Sequence, residues 1–260
     1  MNRILVIIPI FGKEDMTRKC IEKTLNNSGC DIDILVVDDG SKKPFKYDSD
    51  KNVYVLRLGV NGGFTNAINR GILWAGMMYE YIHLLNNDTE PKQKFLKVLV
   101  DRMDKDDSIG IIGSARLHAN NNVELYGADL LRGYQMTTTM KDLTKEVIEC
   151  DWIPFCSVLL RFSMIREIGL LDKHMKNHCS DNDYCFRAKQ ADYKVMLDTN
   201  SIVLHHHSVT VKEHKIVPES DQKVFLEKFA NLWYAQLMKR LPLDAEFETY
   251  GQLKFEVITK

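Results

Sequence analysis

The chain has 260 residues, 45% of them hydrophobic and 27% charged, with a formal net charge of −1. That length can bury the core of one large α/β domain, or of one domain with an appendage, whereas a charge balance so near neutral gives no support for wrapping nucleic acid. No apolar run approaches the roughly 20 residues that span a bilayer.

Arg3 to Ile10 is apolar and β-branched, as a buried parallel strand should be. It is short and runs into Pro9 and Gly12 with no small-residue cleavage site, so it reads as a first strand rather than a signal peptide and the expected location is the cytoplasm. Glu14 and Asp15 then suit the positive end of a helix, and Met16, Cys20, Thr24 and Leu25 follow at helical spacing until Asn26-Asn27-Ser28-Gly29. Ile32 to Val37 is a second strand ending in Asp38-Asp39-Gly40-Ser41, and Val53 to Leu58 is a third. Gly59 to Gly63 leads into a helix expected over Phe64 to Tyr79.

Tyr81 to Leu85 is a fourth strand, and it delivers Asn86-Asn87-Asp88 before Pro91, which suits the first turn of a helix continuing to Met103. Taken alone, Asn86-Asn87-Asp88 reads as an ordinary turn. Its place after the fourth of several alternating strands argues for more, because polar tips at the carboxyl edge of a parallel sheet converge on a crevice. Asp88 offers a hard anionic oxygen suited to Mg²⁺ or Mn²⁺.

Further on, Ile109 to Leu117 is strand-like, Asn120 to Asn122 a turn, Asp151 to Phe162 contains a strand, and Ser163 to Ile168 is a short helix closed by Gly169. Asp181 to Lys189 is helical, and Ser201 to Leu204 is a strand meeting His205-His206-His207. On a strand tip His205 and His207 point one way and His206 the other. Asp221 to Arg240 carries Phe225, Phe229, Leu232, Trp233 and Leu237 on one helical face, giving a division into a domain at 1–218 and an extension at 219–260. That face suits packing on its own domain or a homodimer interface, with peripheral membrane contact as the alternative. The six cysteines include no CxxC, and His174, His178, Cys179 and Cys185 match no usual zinc spacing.

Several motifs in this order resemble the GT-A glycosyltransferases of family 2, over roughly residues 3 to 210. They are Ile7-Ile8-Pro9-Ile10-Phe11, Val36-Val37-Asp38-Asp39-Gly40-Ser41, Asn61-Gly62-Gly63-Phe64 with Ala67, Asn69 and Gly71, Leu85-Asn86-Asn87-Asp88, and Ser180-Asp181-Asn182-Asp183-Tyr184-Cys185-Phe186-Arg187. Within the family the chain most resembles bacterial rhamnosyltransferase-like enzymes of surface polysaccharide assembly. The resemblance implies a Rossmann-like fold with a mainly parallel sheet and helices on both faces, plus the C-terminal amphipathic helix.

It also implies an inverting transfer from a UDP- or dTDP-sugar to a hydroxyl of a glycan or lipid-linked acceptor, in the cytoplasm or at the inner face of the membrane. Asp39 would accept the N3–H of the base, with Pro9 and Phe11 lining its pocket. Asn61, Gly63, Asn69, Asn86, Asn87 and Trp152 complete the expected nucleotide-sugar contacts. The family's Asp-any-Asp reads Asn86-Asn87-Asp88 here, so Asp88 is left as one carboxylate, with His205 or His207 as the natural second ligand for Mn²⁺ or Mg²⁺. Asp181 falls where the family places its base, with Ser180 in place of an acid, and is preferred over Asp183, whose i+4 neighbour Arg187 suggests a structural pair. Two rival readings are a sugar nucleotidyltransferase, which would need a richer glycine loop after the first strand, and an inactive nucleotide-sugar-binding protein.

Overall fold

The computed structural model describes residues 3–117 and 146–206, together with positions 220, 221, 223–225 and 227–229, which are helical. Strand β1 (Ile4–Ile10) explains the layering, because its side chains divide between two separate cores. Leu5 and Ile7 join one cluster with Ala67, Ile68 and Ile72 of α2 (Phe64–Ala75), Ile165 of α4 (Phe162–Ile168), and Tyr184 and Ala188 of α5 (Ser180–Gln190). Ile4, Val6, Ile8 and Ile10 join the other, with Cys20 and Ile21 of α1 (Glu14–Asn27) and Phe95, Leu96 and Leu99 of α3 (Phe95–Met103). Helices therefore cover both faces, which is why the strands read as continuous apolar runs.

The remaining described strands are β2 (Asp33–Asp38), β3 (Val53–Arg57), β4 (Tyr81–Leu85), β5 (Thr89–Pro91), β6 (Ile109–Leu117), β7 (Val147–Glu149), β8 (Ser157–Arg161) and β9 (Lys194–His205). Their order is β3-β2-β1-β4-β8-β6-β9-β5, with β7 also on β9. The first four are mutually parallel, β8 runs antiparallel to both β4 and β6, and β9 is parallel to β6. Six strands thus share one direction and bring their carboxyl ends to one edge.

Three expectations are corrected. Pro91 does not start a helix: Thr89–Pro91 pairs antiparallel with β9, a place proline tolerates on a sheet edge, and α3 begins only at Phe95 after Lys94 at φ +60°. Helix α2 stops at Ala75, with Gly76 at φ +56° after it, rather than running to Tyr79. The last strand starts at Lys194, well before Ser201, because its first half pairs with β7 and its second half with β5. The turn at Asn120 to Asn122 and most of the helix to Arg240 lie outside the described residues.

Helix α2 lies close on β1 at one point. A side chain at Gly71 would come within 2.8 Å of Ile7 Cγ2 and 2.9 Å of its Cδ1. Gly71→Val should therefore push α2 off the sheet and lower stability by about 1–3 kcal/mol, the range for overpacking a filled core. Urea unfolding of the variant beside the wild type measures it.

Candidate active site

The carboxyl edge is built from successive strand tips. At the end of β2, Asp38 is fully buried and accepts the amides of Ser41 at 2.9 Å and Phe45 at 3.0 Å, while Arg57 from β3 forms an ion pair with it. Burial opposes its ionisation, but these donors outweigh burial and hold the carboxyl below its ordinary value. Asp38 is thus a structural acid. Asp39, one residue on, accepts Gly62 N–H at 2.9 Å and Gly63 N–H at 2.8 Å, so it draws the 61–63 loop over the end of the sheet. Gly40 makes room for this, since a Cβ there would lie 2.7 Å from the backbone of Val60 and Asn61. Pro9 is partly buried in β1, opposite Val37, whereas Phe11 is 57% exposed and Asn61 is exposed.

The tip of β4 is held from two sides. Asn86 donates its amide to Cys156 O at 2.9 Å, and Asn87 donates from its side chain to Thr17 at 3.0 Å. The pairing of Thr89 with His205 then sets Asp88 beside the histidine, with Asp88 Oδ1 3.4 Å from His205 Nε2 and both side chains buried. His206 faces away to Glu90, at 2.5 Å, and Glu90 also meets Lys19 at 2.6 Å. The alternation expected of neighbouring histidines on a strand is observed; His207 lies outside the described residues.

Asp88 and His205 fit a small divalent cation. Two ligands each about 2.1 Å from one ion, at right angles, stand about 3 Å apart. Among the described residues no group of three or more His, Cys, Asp or Glu could hold a metal, so a cation here would draw its other ligands from outside these side chains. His174, one of the residues weighed for zinc, instead engages Asp172 at 2.8 Å.

Asp181 opens α5. It is partly buried, and burial pushes its carboxyl above the ordinary value against hydrogen bonds from the amides of Asn182, of Asp181 itself and of Phe155, and against the charge of Arg116. The Phe155 contact ties this acid to the β4 tip, because the next residue, Cys156, receives the Asn86 amide. Trp152 is half-buried on the same core cluster. Asp183 is fully buried and meets Arg187 at 2.8 Å and Lys228 at 2.5 Å, the structural pair its spacing suggested. Asn69 turns out to be a clamp: its amide nitrogen donates to Leu171 O at 2.8 Å and its oxygen accepts Leu171 N–H at 3.0 Å. Arg116, Asn177 and Asp221 belong to no motif in the sequence; only Asn177 stands in a polar cluster, Asn177-His178-Cys179-Ser180, ahead of the helix.

A model of the family described as glycosyl transferase family 2 matches residues 5–169. The chain belongs to glycosyl transferase family 2. An uncharacterised glycosyltransferase of Rickettsia typhi is 25% identical over 252 residues, 91% of this chain and 72% of the relative. A glycosyltransferase of Streptococcus pneumoniae, GlyG, is 30% identical over 118 residues, 43% of this chain and 38% of that protein. Among solved structures, GalNAc-T7 with UDP, GalNAc and Mn²⁺ superposes with a TM-score of 0.70 at 13% identity, over 91% of this chain and 50% of that one. This likeness shows the fold, GT-A, and this chain spans half of that structure. No helix among the described residues is long and apolar enough to cross a membrane.

Asp38→Ala should leave two buried amides without an acceptor and lower stability by about 2–4 kcal/mol at neutral pH. Because the native carboxyl is held below its unfolded value, its contribution is present above the ordinary carboxylate range and is lost as pH falls through the depressed native value. Urea unfolding at several pH values should therefore show the wild type and Asp38→Ala converging in acid.

Proposed function

We propose that this family 2 glycosyltransferase is metal-dependent and inverting, and moves a sugar from a UDP- or dTDP-sugar to a hydroxyl of a glycan or lipid-linked acceptor. A place in surface polysaccharide assembly, on the cytoplasmic side, accords with this reading. The observation that carries it is the approach of Asp88 Oδ1 to His205 Nε2, 3.4 Å, on the same sheet edge as Asp39 and next to the Phe155–Cys156 link to Asp181.

Asp39 takes the nucleotide base, since a carboxylate has about four acceptor positions and the glycine amides use only part of them. Pro9 and Phe11 line that pocket, and Asn61, Gly63, Asn86, Asn87 and Trp152 flank the ribose, diphosphate and sugar. Asn69 acts here by fixing the start of the 171–178 segment rather than by direct contact. Asp88 and His205 hold Mn²⁺ or Mg²⁺, which when bound supplies positive charge against the departing diphosphate. An imidazole nitrogen in the set favours Mn²⁺. His207 is a further donor only if its place on the chain brings it to the same tip.

Asp181 accepts the proton of the acceptor hydroxyl while that oxygen bonds to the anomeric carbon and the bond from that carbon to the diphosphate oxygen breaks, with inversion. Burial serves this role by raising the basicity of the carboxylate.

Asp181→Asn should leave binding of UDP nearly intact and reduce turnover by about 100-fold or more, measured by isothermal titration and by release of nucleoside diphosphate; retained turnover would remove the assignment. In the wild type kcat/KM should fall as pH drops, with a midpoint above the ordinary aspartate range because the functional base has a raised value. Asp88→Ala and His205→Ala should each weaken Mn²⁺ binding, read by the electron paramagnetic resonance of free Mn²⁺ in the presence of UDP. Unchanged Mn²⁺ uptake in both would dismiss the metal site.

A further inference from the structure

Residues 171–178, just ahead of α5, form a strap between two helices that are distant in sequence. On its inner side the strap follows α2: Leu171 exchanges two hydrogen bonds with Asn69, Met175 O accepts Thr65 Oγ1 at 2.5 Å, Lys176 O accepts Thr65 N–H at 3.0 Å, and Asn177 Oδ1 accepts Phe64 N–H at 3.0 Å. Gly63 is needed there, since a Cβ on it would stand 2.8 Å from Asn177 Oδ1. The strap thus holds the start of the helix whose preceding glycines bind Asp39. Its far end is the first turn of α5, with Asp181.

On its outer side the strap is held by the C-terminal stretch. Asp221, 2% exposed, accepts the amides of Asn177 at 2.9 Å and His178 at 3.0 Å with one oxygen. Phe225 and Phe229 pack with Phe186 of α5 and Met175 of the strap. Lys228 then spans Asp172 at the strap's start, 2.9 Å, and Asp183 inside α5, 2.5 Å.

We infer that Asp221 and Lys228 are positioning residues for the base: they fix the strap and the first turn of α5 against each other, and so set Asp181 relative to the donor held at the Asp39 loop. Asp183 keeps Arg187 when Lys228 is removed, so α5 itself need not unravel. What is lost is the tie between the two ends of the strap. A displacement of an ångström at a proton acceptor is enough to slow transfer strongly, while the donor loop keeps the Asp39 hydrogen bonds to Gly62 and Gly63 and the Thr65 contacts to Met175 and Lys176. The inference rests on Asp181 being the base.

The full chain is assayed as Lys228→Met, Lys228→Arg, Asp221→Ala and Asp221→Asn. Lys228→Met and Asp221→Ala should lower kcat by about 10- to 100-fold with the donor KM changed by less than about twofold, and Lys228→Arg and Asp221→Asn should recover most of it. Turnover is expressed per UDP-binding site from titration, so a variant that merely misfolds in part shows wild-type kcat per site and overturns the inference. Hydrogen exchange supplies a second readout free of catalysis: the amides of Asn177 and His178 should exchange slowly in the wild type and faster in Asp221→Ala. Equal rates overturn it. Collapse of Asp181→Asn with intact turnover in the Lys228 and Asp221 variants overturns this inference alone, whereas an active Asp181→Asn defeats the assignment of the base on which it stands.

Discussion

One carboxylate set against two consecutive glycine amides governs the geometry of this crevice. Asp39 receives the amides of Gly62 and Gly63, and by doing so it draws a loop from the far end of β3 back over the tip of β2. The contact is possible only because residue 40 has no side chain to strike Val60 and Asn61, and because Gly63 can adopt φ +87°. From that joint α2 departs in a fixed direction, and the strap at 171–178 can bind its first turn. Charge-assisted acceptance from backbone amides is among the stronger hydrogen bonds available, and a carboxylate with about four acceptor positions is not filled by it.

The second feature of the edge comes from mixed strand directions. Antiparallel β8 lies between β4 and β6, and the short β5, which follows β4 in sequence, pairs antiparallel with the second half of β9. Asp88 and His205 become neighbours although 117 positions separate them in sequence. Beneath them runs a buried polar row: His83 Nε2 to Ser157 at 3.2 Å, Ser157 to Ser114 at 2.9 Å, Ser114 to Ser201 at 2.7 Å, and Ser201 to Phe95 O at 2.7 Å. The terminal carbonyl can only accept, and each hydroxyl has one proton, so every donor in the row points toward Phe95 and His83 must carry its proton on Nε2. Burial pushes the His83 ring down to about 3, which keeps it neutral. The row joins four strands through their interior.

The strand tips were readable because each parallel strand is an apolar run that stops abruptly at polar residues, a pattern that local chemistry imposes. What escaped was non-local. Thr89-Glu90-Pro91 has the composition of a helix start, and only its partner β9 makes it a strand. Asn69 stood among the expected nucleotide-sugar contacts through the family resemblance alone, yet a backbone segment 102 positions away takes both of its polar atoms. Asp38 and Asp39 are alike in sequence. They differ because Arg57 and two turn amides close around the first, while the second faces a loop. Asp221 and Lys228 stand on a helix whose sequence drew attention to its apolar face, and nothing in their spacing foretold a buried acceptor for the strap.

The pair Asp181 and Asp183 shows how one helical turn can give two identical side chains different work. Asp183 points into the protein, where Arg187 and Lys228 approach it from two elements, and a carboxylate so enclosed has no path to an incoming hydroxyl. Asp181, two residues earlier, is partly buried and has no comparable ion pair among the described residues; backbone amides and the field of Arg116 oppose its burial. Burial then dominates and raises its basicity, the change a general base requires. The balance between desolvation and these fixed dipoles, rather than the identity of the acid, separates the proposed base from the brace beside it.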